Sequence, residues 1–136
     1  MAANILYDKS GIAVAYIASD YQETIYLWEG LSVAYLYEQE NVYGFNGRHL
    51  GWFRGEVLYN HKGERIGFTF NTCPVSIVKP PVKGKKYPID EMRPRWSSPP
   101  SPKLGYNIAK ESLADFLRQG QAFRFKKDAS SDESSD

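Results

Sequence analysis

A chain of 136 residues with 42% hydrophobic and 15% aromatic content carries the material for one compact core, which excludes disorder throughout. Its longest unbroken apolar run, Ile12 to Ala18, falls far short of the roughly 20 residues a membrane helix needs, and no basic, then apolar, then small-residue signal opens the sequence, so the expectation is a cytoplasmic protein with no membrane contact. The formal net charge of +1 is unevenly spread: residues 1–72 hold five basic and eight acidic side chains, residues 73–103 seven and two, and residues 104–136 five and six.

In chain order, residues 1–72 read as four tandem β-hairpins. One template recurs: Tyr, three residues, Gly, two residues, an aliphatic, Ala or Gly, and an aromatic. It fits Tyr7–Tyr16, Tyr26–Tyr35, Tyr43–Trp52 and Tyr59–Phe68, with the starting tyrosines 19, 17 and 16 residues apart. The predicted turns are Asp8–Gly11, Leu27–Gly30, Gly44–Gly47 and Asn60–Gly63, each with glycine where a tight turn wants positive φ. A type I turn closed by a glycine bulge would set Tyr7 opposite Ala13 and Leu6 opposite Val14.

That register gives each hairpin two sides. One carries Leu6, Val14, Tyr16; Ile25, Val33, Tyr35; Val42, Leu50, Trp52; and Leu58, Ile66, Phe68, and is the expected core. The other carries Tyr7, Tyr26, Tyr43 and Tyr59 with Ala13, Ser32, His49 and Arg65, followed by the small residues Ala15, Ala34, Gly51 and Gly67. Because an isolated hairpin is marginal in water, the four must pool their apolar side.

Residues 73–106 form a basic, proline-rich strap, predicted to be extended, since all eight prolines lie between Pro74 and Pro102. Residues 107–120 read as an amphipathic helix, capped by Asn107, apolar at Ile108, Ala109, Leu113, Phe116 and Leu117, and ended by Gly120. Such a helix is too short to stand alone and should dock. Residues 121–136 are expected to be extended and then, from Asp128, an acidic serine-rich disordered tail. The fold class is therefore mainly β: four tandem hairpins packed about a pseudo-four-fold axis, followed by an extended strap and one short C-terminal helix.

The four copies, most of all NGRHLGWF (Asn46–Phe53) and KGERIGF (Lys62–Phe68), resemble the bacterial four-fold β-flower proteins over about residues 5–70. The resemblance implies hairpins arranged as petals, often followed by proline-rich segments, and it implies no biochemical activity. The first two copies depart from the pattern, with Ala15 and Ala34 in place of glycine and no arginine after the turn.

The second pair of copies differs from the first in its chemistry. Arg48 and His49 follow one turn glycine and Glu64 and Arg65 the next, with Trp52 and His61 close in sequence. Gathered on one side, these residues would make a cationic, aromatic pocket for a phosphate or a planar ring. The plainer reading makes Arg48, Glu64 and Arg65 solvated residues beside their turns. A ring of Tyr7, Tyr26, Tyr43 and Tyr59 would offer hydroxyls and π faces to a ligand, although tyrosine also covers half-exposed strands without one.

No nucleophile elbow, phosphate loop, paired catalytic carboxylates or metal motif is present. The single cysteine, Cys73, excludes an intramolecular disulfide and a cysteine-based zinc site, and neither a catalytic residue nor a metal or cofactor is expected. Seven basic residues in the strap are a modest count beside an acidic core, which disfavours nucleic acid. A proline-rich basic stretch also serves as a peptide ligand, which points to Arg93, Arg95 and Trp96, with Phe116 and Leu117 on the helix, as a surface for a protein partner or another copy.

The leading expectation is a non-catalytic interaction or scaffold module. The alternative is a binder of a small nucleotide-like anion. A hydrolase or transferase would need His49 within hydrogen-bond reach of an acid such as Glu64.

Overall fold

The computed structural model describes residues 4–20, 23–86 and 95–121. Each predicted hairpin forms around its glycine. Gly11, Gly30, Gly47 and Gly63 have φ of 79°, 106°, 92° and 76°, and each donates its N–H to the carbonyl three residues back at 2.8 to 3.0 Å. Eight strands result: β1 (Asn4–Tyr7), β2 (Ala13–Ile17), β3 (Thr24–Leu27), β4 (Ser32–Tyr37), β5 (Asn41–Gly44), β6 (His49–Arg54), β7 (Val57–Tyr59) and β8 (Arg65–Phe68). Each pairs antiparallel with the next and β8 returns to β1, closing a barrel. Its weakest seam is β8 to β1, joined at the single pair Tyr7 and Phe68.

The register corrects the expected division into sides. Tyr7 does face Ala13, but Leu6 faces Ala15, because a second irregularity leaves Val14 as an extra residue. The other hairpins repeat it: Ile25 faces Ala34, Val42 faces Gly51 and Leu58 faces Gly67. One added residue exchanges the sides of everything beyond it. Ala15, Ala34, Gly51 and Gly67 therefore turn inward with the aliphatics, while Tyr16, Tyr35, Trp52 and Phe68 turn outward. Across the joints between hairpins these outward residues pair with the template tyrosines, as Tyr16 with Tyr26, Tyr35 with Tyr43, Trp52 with Tyr59 and Phe68 with Tyr7.

The space left by four small inward residues is filled by α1 (Leu113–Arg118). Leu113, Phe116 and Leu117 are at most 2% exposed and share one cluster with the inward aliphatics of all four hairpins. Each hairpin turn also holds the neighbourhood of the helix. Lys9 donates to the Ala109 carbonyl at 3.3 Å, Arg118 meets Glu29 at 3.4 Å, and Asn60 donates to Glu111 at 3.1 Å. The side-chain amide of Asn46 donates to the Gln119 carbonyl at 2.6 Å. The helix thus plugs the end of the barrel that carries the turns.

This helix is shorter than predicted. Its cap is Ser112, whose Oγ accepts from Asp115 N at 3.0 Å, not Asn107. Residues 107–109 are extended because they pair parallel with β8: Arg65 N donates to the Asn107 carbonyl and Ala109 N to that of Arg65, both at 2.8 Å. They reinforce the barrel beside its weak seam. Phe116 and Leu117, proposed from sequence as partner-binding residues, are core residues of this chain.

The described parts of the proline-rich segment, residues 73–86 and 95–106, meet the turns in order. Val78, Trp96 and Gly105 donate their N–H groups to the carbonyls of Gly11, Gly47 and Gly63 at 2.9 to 3.0 Å, and Gly84 donates to Trp28 at 2.8 Å. The carbonyls of Ser76, Lys85 and Lys103 lie against Gly11, Gly30 and Gly63, where a Cβ would collide with them. Equivalent contacts thus fall nine or eighteen residues apart. Between them its cations cover outward rings, with Lys83 4.3 Å from the Tyr16 ring centre, Lys86 4.8 Å from Tyr26 and Arg95 4.0 Å from Tyr37. Arg93 and the acidic tail expected from Asp128 lie outside the described residues.

Replacing Phe116 by Ala removes the largest side chain of the plug and is expected to cost about 3–5 kcal/mol. Gly51→Ala sets a Cβ against the Tyr59 carbonyl and the Phe116 ring and is expected to cost about 1–3 kcal/mol. Urea unfolding of the full chain measures both.

Candidate functional site

Hairpins three and four are neighbours in the barrel, so the residue after one turn glycine approaches the turn of the next. His49, on β6, faces His61 in the fourth turn. Their rings stack with centres 5.3 Å apart and planes 14° apart, and His49 Nδ1 lies 3.1 Å from His61 Nε2. His49 Nε2 is 3.1 Å from Asn41 Oδ1. Trp52 packs behind the pair, 4.8 Å from His49 and 5.4 Å from His61 between ring centres, and Tyr43 meets His49 edge-on at 5.0 Å.

In front of the pair is a cavity of about 380 Å³. Arg48, His49 and Leu50 line it from hairpin three, and Asn60, His61 and Lys62 from the fourth turn; Trp96, Ser97 and Pro99 of the proline-rich segment, with Glu111, Phe116 and Gln119 around the plug, complete the wall. Trp96 is held in place by its backbone. Its N–H donates to the Gly47 carbonyl at 2.9 Å, and its own carbonyl accepts from the Tyr43 hydroxyl at 3.0 Å. Its side chain stays half-exposed.

Burial disfavours charge on both imidazoles. His49, only 6% exposed, is lowered to about 4, first by loss of solvent and then by the neighbouring His61. His61 is also lowered by burial, an effect offset in part by the His49 backbone carbonyl. At neutral pH the pair is uncharged and the positive charge of the cavity comes from Arg48 and Lys62. Glu111 brings one negative charge, and its Oε2 accepts from Asn60 Nδ2 at 3.1 Å.

The structure brings Arg48, His49 and His61 together in one wall, with Trp52 behind them. It separates the other residues of the expected pocket. Arg65 donates from Nε to the Gly105 carbonyl at 3.1 Å and lies over the Tyr106 ring at 4.6 Å, clamping the proline-rich segment. Glu64 accepts from Asn60 at 3.1 Å and lines a second cleft, of about 730 Å³, on the other side of Lys62. The ligand ring expected of Tyr7, Tyr26, Tyr43 and Tyr59 does not form: each is buried on the outer side of its own sector, and none lines the cavity.

Trp96, expected to meet a partner, belongs to the cavity. Lys62, Asn60 and Glu111 were missed, although Asn60 heads a turn and so had a signal. Among the described residues no group of three or more His, Cys, Asp or Glu side chains is placed to hold a metal ion, and no helix is long and apolar enough to cross a membrane.

The family model described as "4-fold beta flower protein" matches residues 4–117. No curated protein and no solved structure matches the chain.

A group whose pKa falls on folding takes its proton first in the unfolded chain. His49 is therefore expected to weaken the fold as pH drops from its ordinary 6.5 to about 4, by roughly 3 kcal/mol, and no further below that. Denaturant unfolding of wild type and His49→Gln across this range should show the extra acid sensitivity in the wild type and its loss in the variant.

Proposed function

The chain belongs to the 4-fold beta flower family, and within that fold we propose that it is a non-catalytic binder of a small anionic ligand. The observation that carries this reading is the convergence of Arg48, His61, Lys62 and Trp96 on one cavity, although Trp96 is 48 residues beyond Arg48 in the chain. Two cations and an indole suit an oxyanion attached to a planar group. His49, which a hydrolase or transferase would pair with Glu64, instead commits both ring nitrogens to His61 and Asn41, which supports binding over catalysis. The single thiol suits a reducing compartment, and we place the protein in the bacterial cytoplasm.

A second reading, a module that meets a protein partner or another copy, is favoured by the exposure of Phe70, Val82 and Tyr106, at 73%, 95% and 85%. A substitution of Val82 by Asp that leaves light-scattering mass and captured partners unchanged would count against it.

For ligand binding, native mass spectrometry of protein purified from its host should retain a small molecule, and a panel of aromatic carboxylates and phosphates should raise the melting temperature. At a hundredfold excess over Kd the stabilisation is about 2.7 kcal/mol. Arg48→Ala should weaken binding about tenfold or more. A panel without any shift, together with no retained molecule, defeats the reading.

A further inference from the structure

Hydrogen-bond direction in the histidine pair fixes where a proton can enter. Asn41 Oδ1 is an acceptor, so the His49 Nε2 facing it at 3.1 Å carries hydrogen and donates. A neutral His49 then has its lone pair on Nδ1, and His61 Nε2 donates across the 3.1 Å contact. This chain of donors runs from His61 to His49 to Asn41. It leaves His61 Nδ1 as the one unprotonated ring nitrogen not already accepting within the pair, and His61 is the exposed member. A proton taken up from solvent forms its N–H bond there; if it moves on, it does so by His61 Nε2 passing its own proton to His49 Nδ1.

The surroundings decide when that proton is welcome. Arg48 and Lys62 line the same cavity and oppose a third positive charge. Glu111 is the carboxylate that lines it among the described residues, and it is already paired with Asn60. Trp96, Ser97 and Pro99 from the proline-rich segment carry no charge, nor do Phe116 and Gln119 from the plug side. Behind the pair are Asn41, Trp52 and Tyr43. An anion seated between Arg48 and Lys62 reverses the local sign and turns an imidazolium from a cost into a partner.

We propose that the cavity takes its oxyanion together with one proton, which enters the His49–His61 pair at His61. The inference rests on the ligand-binding reading and adds that binding is linked to proton uptake. By reciprocity, whatever an anion does to the proton affinity of the pair, protonation does to the affinity for the anion. The free pair is neutral at pH 7 because burial lowers both rings, so the proton arrives with the ligand.

Sulfate is a suitable probe because it keeps its charge throughout the useful range. Isothermal titration of the full chain with sodium sulfate, from about pH 8 to about pH 5.5 at constant ionic strength, should show affinity rising as pH falls, by up to about tenfold per unit where the pair titrates. Two buffers of different ionisation heat should report uptake approaching one proton per sulfate. His61→Gln should bind sulfate more weakly with no pH dependence, and Arg48→Ala more weakly at every pH with the dependence kept. Sulfate binding that is independent of pH without proton uptake overturns the inference and leaves the binding site standing. An undiminished pH dependence in His61→Gln overturns His61 as the point of entry. No sulfate binding at any pH overturns both the inference and the reading beneath it.

Discussion

The barrel depends on one extra residue per hairpin. Val14, Val33, Leu50 and Ile66 each interrupt the alternation that would otherwise set the small residues outside and the large aromatics within. With the interruption, Ala15, Ala34, Gly51 and Gly67 face the axis, and the interior becomes wide enough for a helix. Phe116 and Leu113 lie directly over Gly51 and Gly67. Of the aromatic residues displaced outward, Tyr16 and Tyr35 stack on Tyr26 and Tyr43, and cations of the proline-rich segment lie over this outer surface. Interior plug and exterior segment are two consequences of the same backbone irregularity.

The candidate site inherits its rigidity from both. His49 sits on a strand, His61 in a turn closed by a glycine and braced by Asn60 Oδ1, which accepts from Lys62 N and Glu64 N at 3.0 Å. Trp96 is tied by its backbone at both N–H and carbonyl, which fixes the point on the rim from which its side chain departs. Copies one and two have Ala13 and Ser32 at the position of His49, and no comparable pair of imidazoles forms there. Symmetry builds the frame, and departure from symmetry supplies the chemistry.

Much of the frame was legible in the sequence. The four hairpins and their turns follow from glycine spacing, and a glycine at positive φ has few alternatives. The second irregularity left no mark, because Val, Leu and Ile are ordinary strand residues and nothing in their chemistry distinguishes a bulged position from a paired one. The helix start was misplaced for a related reason: Asn107 caps well in isolation, but its carbonyl is taken by Arg65 N, and a tertiary bond outweighs a local preference. Of the site, Arg48, His49 and His61 could be nominated because the copies differ there. Trp96 could not be placed beside them, since proline-rich composition predicts extension and says nothing of the path. The nine-residue interval between its contacts emerges only when the turns are in view.

The order of elements along the chain also sets an order in time. The barrel is complete at Phe68, whereas its plug ends some 49 residues later, near Leu117. At about 5–20 residues per second, ribosomal synthesis leaves the inward aliphatics of the hairpins without their helix for roughly 2 to 10 s. During that interval the apolar side chains that the helix covers in the finished fold are left open to contacts with other chains.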